Sequence, residues 1–199
     1  MIAVIDYGGG NLGSLIAGLE RRGAEFVVTD DALVVGAADA GILPGDGAFG
    51  ATMRALDERG LTDAVRQMLK RKRPFLGICI GMQILFEGSD EFGMHAGLCV
   101  FPGMITQLRG APRVPHMGWD QLEIMQPHRF VAGVREGDYA YFLHSYRAPI
   151  IEATVAACTY GEQFSAIVAK DHVMGTQFHP EKSQHTGALL LDNFVKLAS

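Results

Sequence analysis

Five residues, Gly77-Ile78-Cys79-Ile80-Gly81, put a thiol between two glycines at the end of an apolar run. "PFLGIC" reads as a strand and "IGMQILFEG" as the helix after it, so Cys79 falls on a strand-to-helix turn. A nucleophile in such a turn takes strained backbone angles. Glycine two positions away on either side removes side chains that would collide there. The start of the helix carries partial positive charge and favours an anion at the sulfur. The N–H of Ile80 points toward an oxyanion formed by attack at Cys79. A buried, inert cysteine in a small-residue turn fits the same five letters.

A nucleophilic thiol needs a base and a group to orient that base. "QFHPEKS", residues 177–183, offers His179 and Glu181. Residues i and i+2 of an extended segment face the same way, and Pro180 biases His179 toward that conformation. Glu181 can then accept from one ring nitrogen while the other faces the thiol. The oxyanion needs a second donor, and the glycine-rich loop "LPGDGAFG", residues 43–50, can turn a backbone N–H toward it. A plain β-turn is the simpler reading of that loop. His95, His116, His128, His172 and His185 read as ordinary exposed histidines. Cys99 and Cys158 read as inert mid-strand thiols.

The elements that position these residues change character halfway. "MIAVID", "EFVVTD", "AGILPGDG" and "PFLGIC" are strand signals separated by the helical stretches "LGSLIAGLERRG" and "ATMRALDERGLTDAVRQMLKRK". Such alternation predicts an α/β fold around a mostly parallel sheet flanked by helices. From "LCVFPGMITQLRG" to "HVMGTQFHP" short strands follow one another, which predicts an added antiparallel portion. "GALLLDNFVKLAS" predicts a closing helix. No linker or repeat divides the 199 residues, so a single domain over 1–199 is expected.

Apolar residues make up 48% and charged residues 20%, with a net charge of -5, so no basic footprint for nucleic acid is present. "KRKR" at Lys70–Arg73 reads as the solvated end of a helix. Three scattered cysteines exclude a disulfide scaffold and give no zinc spacing. The first residues lack a signal-peptide pattern, and no run is long and apolar enough to span a bilayer. A cytoplasmic location is the expectation.

Taken together, "DYGGGNLGS" (6–14), "LPGDGAF" (43–49), "PFLGICIGMQ" (74–83), "PHMGWD" (115–120), "FLHSY" (142–146) and "QFHPEKS" (177–183) resemble the class I, or triad, glutamine amidotransferases. Within them, the combination is most similar to the glutaminase subunits of histidine biosynthesis. The resemblance implies that Cys79, His179 and Glu181 form a catalytic triad. It implies an oxyanion hole from the backbone of Asp46, Gly47 and Ile80. It places Gln83, Glu91, His144, Ser145 and Tyr146 at the glutamine. Asn11, Trp119, Tyr141 and Lys182 would lie at the ammonia exit, against a (β/α)8-barrel cyclase in a heterodimer. Read from the residues alone, Trp119 is a core aromatic and Lys182 a solvated charge. The resemblance implies no metal and no organic cofactor. Two positions depart from the family: it more often has an apolar residue at Asp46, and usually Asn at Asp120.

Three other readings remain. Gly8-Gly9-Gly10-Asn11-Leu12-Gly13 matches G-x-G-x-x-G after a strand and before a helix, with Asp30 and Asp31 near the end of the next strand, as in a dinucleotide-binding module. That reading leaves the elbow and "HPE" unexplained. The same glutaminase could instead feed a different synthase. An inactive scaffold is the third, and an intact triad argues against it.

Overall fold

The computed structural model describes residues 1–10 and 12–198, and Asn11 lies outside them. The first half is built as β1 (Ile2–Ile5), α1 (Gly13–Glu20), β2 (Phe26–Thr29), α2 (Ala32–Ala37), β3 (Ala40–Leu43), α3 (Phe49–Glu58), α4 (Leu61–Lys70), β4 (Phe75–Ile78) and a single turn α5 (Ile80–Gln83). The second half adds β5 (Gly88–Ser89), β6 (His95–Ala96), β7 (Met104–Gln107), β8 (His116–Gln121), β9 (Glu123–Ile124), β10 (Tyr139–His144), β11 (Tyr146–Arg147), β12 (Thr154–Tyr160), β13 (Glu162–Lys170), β14 (Val173–Thr176) and α6 (Gln184–Ala198).

One sheet runs β2-β1-β3-β4-β14-β13-β12-β9. It is parallel from β2 to β14 and antiparallel from there to β9, as the change in sequence character predicts. Strand residues alternate between its two faces. Ile2, Val4 and Ile42 join Leu15 and Leu19 of α1 and Leu190 and Phe194 of α6 in one core. Ala3, Ile5 and Leu43 join Val35, Leu56, Val65 and Met68 on the other face. β10 pairs with β8 as a separate antiparallel ribbon, and β11, β7, β5 and β6 form a small sheet beside it.

Several elements are shorter than their sequence signals. The third strand stops at Leu43, because Pro44 and the glycines after it begin the loop. The helical stretch 51–72 is two helices divided at Gly60, whose φ is 67°. α2 carries no long apolar period and is missed in the sequence; Asp31 starts it by accepting from Leu33 N–H at 2.8 Å. Cys99 lies in an exposed loop rather than a strand, whereas Cys158 is buried in β12.

Candidate active site

The chain turns from β4 into α5 at Cys79, which has φ 54° and ψ -111°. A positive φ is rare for a residue with a side chain, so the turn is strained at the thiol itself. The two glycines make that turn possible. A Cβ on Gly77 would run into the Gly81 carbonyl. A Cβ on Gly81 would run into the Leu43 carbonyl oxygen of β3. Ile80 is the first residue of α5, so its N–H is among those a helix start leaves unpaired.

β14 is the neighbour of β4, and the segment leaving it carries His179 to the thiol. His179 is extended, with φ -96° and ψ 100°, ahead of Pro180. Its N–H donates to the Tyr141 carbonyl at 3.1 Å, which ties it to β10. Nδ1 of the ring donates to Glu181 Oε1 at 2.9 Å. Nε2 is shut off from solvent without a well-formed hydrogen bond. Burial works against the imidazolium, but the Cys79 thiol and the Glu181 carboxylate outweigh it and carry the His179 pKa up to about 10.

A cavity of about 310 Å³ opens on the thiol. Asp46, Gly47, Cys79, Ile80, Gln83, Glu91, Leu143, His144, Ser145 and Tyr146 line it. Larger clefts of about 670 and 460 Å³ lie at the other end of the strands, beside Met1 and Arg73 and beside Lys72 and His172. Neither has a nucleophile beside an acid–base pair, so size does not select the site. In the small cavity Gln83 is buried, and its Nε2 donates to the Tyr146 carbonyl at 2.9 Å and to Gln177 Oε1 at 3.0 Å. Glu91 Oε2 accepts from the Phe49 N–H at 2.6 Å, which fixes this carboxylate at the start of α3. Ser145 uses its carbonyl to accept from Leu108 N–H.

Two neighbours of the thiol, and one residue behind the cavity wall, were not legible as such. Gln177 Nε2 approaches Cys79 Sγ at 3.9 Å, and the Leu143 carbonyl does so from β10 at the same distance. Gln177 is two residues before His179 in the same extended segment, and that spacing was the available signal. The residue behind the wall is His116, which touches His144 rather than the thiol. His116, expected to be exposed, is 3% exposed and clamped between the rings of Tyr160 and Phe142, with centroids at 3.9 and 4.8 Å. Its Nδ1 lies 3.2 Å from Nε2 of His144, and its Nε2 lies 3.4 Å from Asp120 Oδ2. Burial drives the His144 pKa down to about 3, so that ring is neutral.

The glycine turn after β1 packs on the loop beside the cavity. A Cβ on Gly10 would stand 3.2 Å from Gly45 Cα, and one on Gly45 would run into the Tyr7 hydroxyl. Asp31, one of the two acids at the end of the next strand in the dinucleotide-binding reading, is engaged as the cap of α2. The turn's small residues therefore have a structural use here: they let the 43–50 loop approach.

Trp119 is not a core aromatic. It is 45% exposed on β8, where it faces Tyr141 of β10 edge to face at 5.9 Å. Lys182 sits half-buried in the 3-10 turn Pro180–Lys182, next to Glu181. Trp119, Tyr141 and Lys182 thus border the His179 segment on a side not lining the cavity.

The class-I glutamine amidotransferase family profile matches residues 3–197. A protein named imidazole glycerol phosphate synthase subunit HisH from Syntrophotalea carbinolica is 45% identical, over 98% of this chain and 98% of its own. The proteins of the same name from Geobacter sulfurreducens and Aquifex aeolicus are each 46% identical over 98% of this chain, and over 98% and 96% of their own lengths. Among solved structures, one titled as a glutamine amidotransferase superposes with a TM-score of 0.77 at 20% identity, covering 99% of this chain and 98% of that one. The structure of PurLQS from Thermotoga maritima superposes at 0.73 and 20%, covering 98% and 97%. These two likenesses are of fold.

Proposed function

The chain belongs to the class I glutamine amidotransferases, and we propose that within them it is the glutaminase subunit of imidazole glycerol phosphate synthase. It hydrolyses glutamine to glutamate and ammonia and passes the ammonia to a cyclase subunit. The cyclase uses it to make imidazole glycerol phosphate and AICAR in histidine biosynthesis. Identity of about 45% over nearly full length to relatives of that name supports this assignment over a glutaminase serving another synthase.

The chemistry follows from the residues at the cavity. Cys79 attacks the side-chain amide carbon of glutamine and forms a C–S bond. The N–H of Ile80 and the backbone N–H groups of the Asp46–Gly47 loop receive the oxyanion, with roughly 3–4 kcal/mol at stake per donor. His179, oriented by Glu181, gives its Nε2 proton to the departing nitrogen, and ammonia leaves. His179 then takes a proton from water as it attacks the thioester, and glutamate is released. Glu91 holds the substrate ammonium, and Gln83 with the 144–146 backbone shapes the pocket. The observation that carries this reading is the His179–Glu181 pair at 2.9 Å beside a strained cysteine over a cavity of substrate size.

Ammonia must leave unprotonated, because ammonium is not a nucleophile. A (β/α)8-barrel cyclase docked over Asn11, Trp119, Tyr141 and Lys182 keeps water from that exit, and the two subunits form a heterodimer with lyase activity. One glutamine amidotransferase domain over 1–199, working in the cytoplasm, completes the assignment. The assignment is tested by mixing this chain with the cyclase and its ribonucleotide substrate. Glutaminase turnover should rise, and imidazole glycerol phosphate should form from glutamine. No rise and no product would reject the partner.

A further inference from the structure

The Nε2 atom of His179 is the one that must trade protons with the thiol and the leaving ammonia, yet it has no well-formed hydrogen bond. Besides the Cys79 thiol, Asp46 Oδ1 lies near it, at 3.5 Å. That is longer than a hydrogen bond but within ion-pair range. The same Asp46 lines the substrate cavity beside Gly47 and Ile80, where the oxyanion would form. Its side chain is 45% exposed, so it has room to turn outward.

The loop around it is packed on both sides and more open in the middle. Gly45 is held between Tyr7, Ile80 and Gly10. Phe49 is held by Glu91. Gly47 between them has φ 137°, and no atom of the described residues lies within 4 Å of where a Cβ would stand. Asp46 and Gly47 are therefore the least packed part of the loop among the described residues.

We propose that Asp46 is a positioning residue that restrains the isolated glutaminase: its carboxylate holds the His179 imidazolium at Nε2 and opposes the oxyanion, and it swings to solvent in the assembled enzyme. The proposal rests on His179 being the general acid. A carboxylate at Nε2 draws the proton away from the leaving nitrogen, and its charge repels a second anion a few ångströms off. The charged or titratable groups facing His179 are Cys79 from the elbow, Glu181 from its own segment, His144 from β10 and Asp46 from the loop. Of these, Asp46 is the most exposed and the one on the more open stretch of loop.

Asp46→Asn keeps the shape and removes the charge. Two measurements on the isolated chain decide the matter. The first is glutaminase turnover, which should rise at least about fivefold, with the stimulation by cyclase falling by a similar factor. The second is the pH titration of the His179 ring by NMR, its signal identified by loss in His179→Asn; its pKa should fall by roughly half a unit or more. An unchanged or lower basal rate, or an unchanged titration, overturns the proposal. Cys79→Ala measured alongside separates this from the underlying reading. If that variant retains glutaminase activity, the site itself is misassigned. If it is inactive while Asp46→Asn behaves as the native chain, the restraint alone is wrong. Circular dichroism melts of each variant confirm that it is folded.

Discussion

His144 donates its Nδ1 proton to the carbonyl oxygen of Tyr146, 2.9 Å away. A carbonyl can only accept, so Nε2 of the neutral ring is a bare acceptor, and His116 Nδ1 at 3.2 Å is its donor. The Tyr146 carbonyl also receives Gln83 Nε2 at 2.9 Å. A chain of polar contacts thus runs from Asp120 through His116 and His144 into the wall of the cavity.

Two of the three buried histidines of this region, His144 and His179, are shifted in opposite directions, which sets a pH optimum for stability. The folded pKa of His144 is about 3 against an ordinary 6.5. Between those values the unfolded chain binds a proton that the folded chain refuses, so stability falls as pH drops below 6.5. The folded pKa of His179 is about 10. Its contribution is complete below 6.5 and is lost as pH rises toward 10. Each limb has a limiting slope of about 1.4 kcal/mol per pH unit. Urea midpoints followed from about pH 5 to 9 should peak between about 6 and 7. A flat profile, or a peak near 9, would contradict one of the two protonation states.

Removing the middle of the polar chain should loosen the pocket. His116→Ala strips a ring packed between Tyr160 and Phe142 and leaves His144 Nε2 without its donor. The combined cost is about 2–4 kcal/mol of unfolding free energy. It should be accompanied by a raised KM for glutamine. A native denaturation curve would show that the pair is not structural.

The elbow tolerates no side chain at its second glycine. Gly81→Ala forces the turn away from the Leu43 carbonyl, which the added carbon would strike. Displacing a nucleophile by about 1 Å costs on the order of 100-fold in turnover. Steady-state glutaminase kinetics of the complex measure it directly, and a Gly81→Ala enzyme with near-native kcat would refute the clearance argument.

Glu181→Gln keeps the size of the side chain and removes the charge that holds the His179 imidazolium. Triad orienters changed from acid to amide lose on the order of 10³–10⁴ in kcat. The His179 pKa should drop in the same variant, because a raising contribution at Nδ1 is gone. Loss of less than about tenfold would demote Glu181 from orienter to packing residue.

Trp119 is an exposed aromatic cross-strand from Tyr141, which accepts the His179 N–H. Trp119→Ala should leave the melting temperature unchanged but weaken cyclase binding about 30-fold, as expected of an aromatic anchor. Calorimetric titration of the two subunits separates this from a fold effect, and unaltered affinity would remove Trp119 from the interface.

The residues proposed as the triad were readable as candidates from sequence because each part is local. The elbow is five residues, and His179 and Glu181 are two apart with a proline between. The mixed sheet was readable from the change in strand spacing. His116 was not, since its partners arrive only through the register that sets His144 opposite it, 28 positions on. Trp119 was misplaced because β8 and β10 form a two-stranded ribbon, whose outer face is open where a central strand's would be covered. The Asp46–His179 approach joins residues from separate loops, and no spacing in the chain encodes it.

The most direct measurement is product formation by the complex carrying Cys79→Ala, with glutamine and with ammonium salt as alternative nitrogen donors. Synthesis from ammonia should continue at the native rate, because the cyclase is untouched, while synthesis from glutamine should fall to background. Retained glutamine-dependent synthesis would show that the thiol between the two glycines is not the nucleophile.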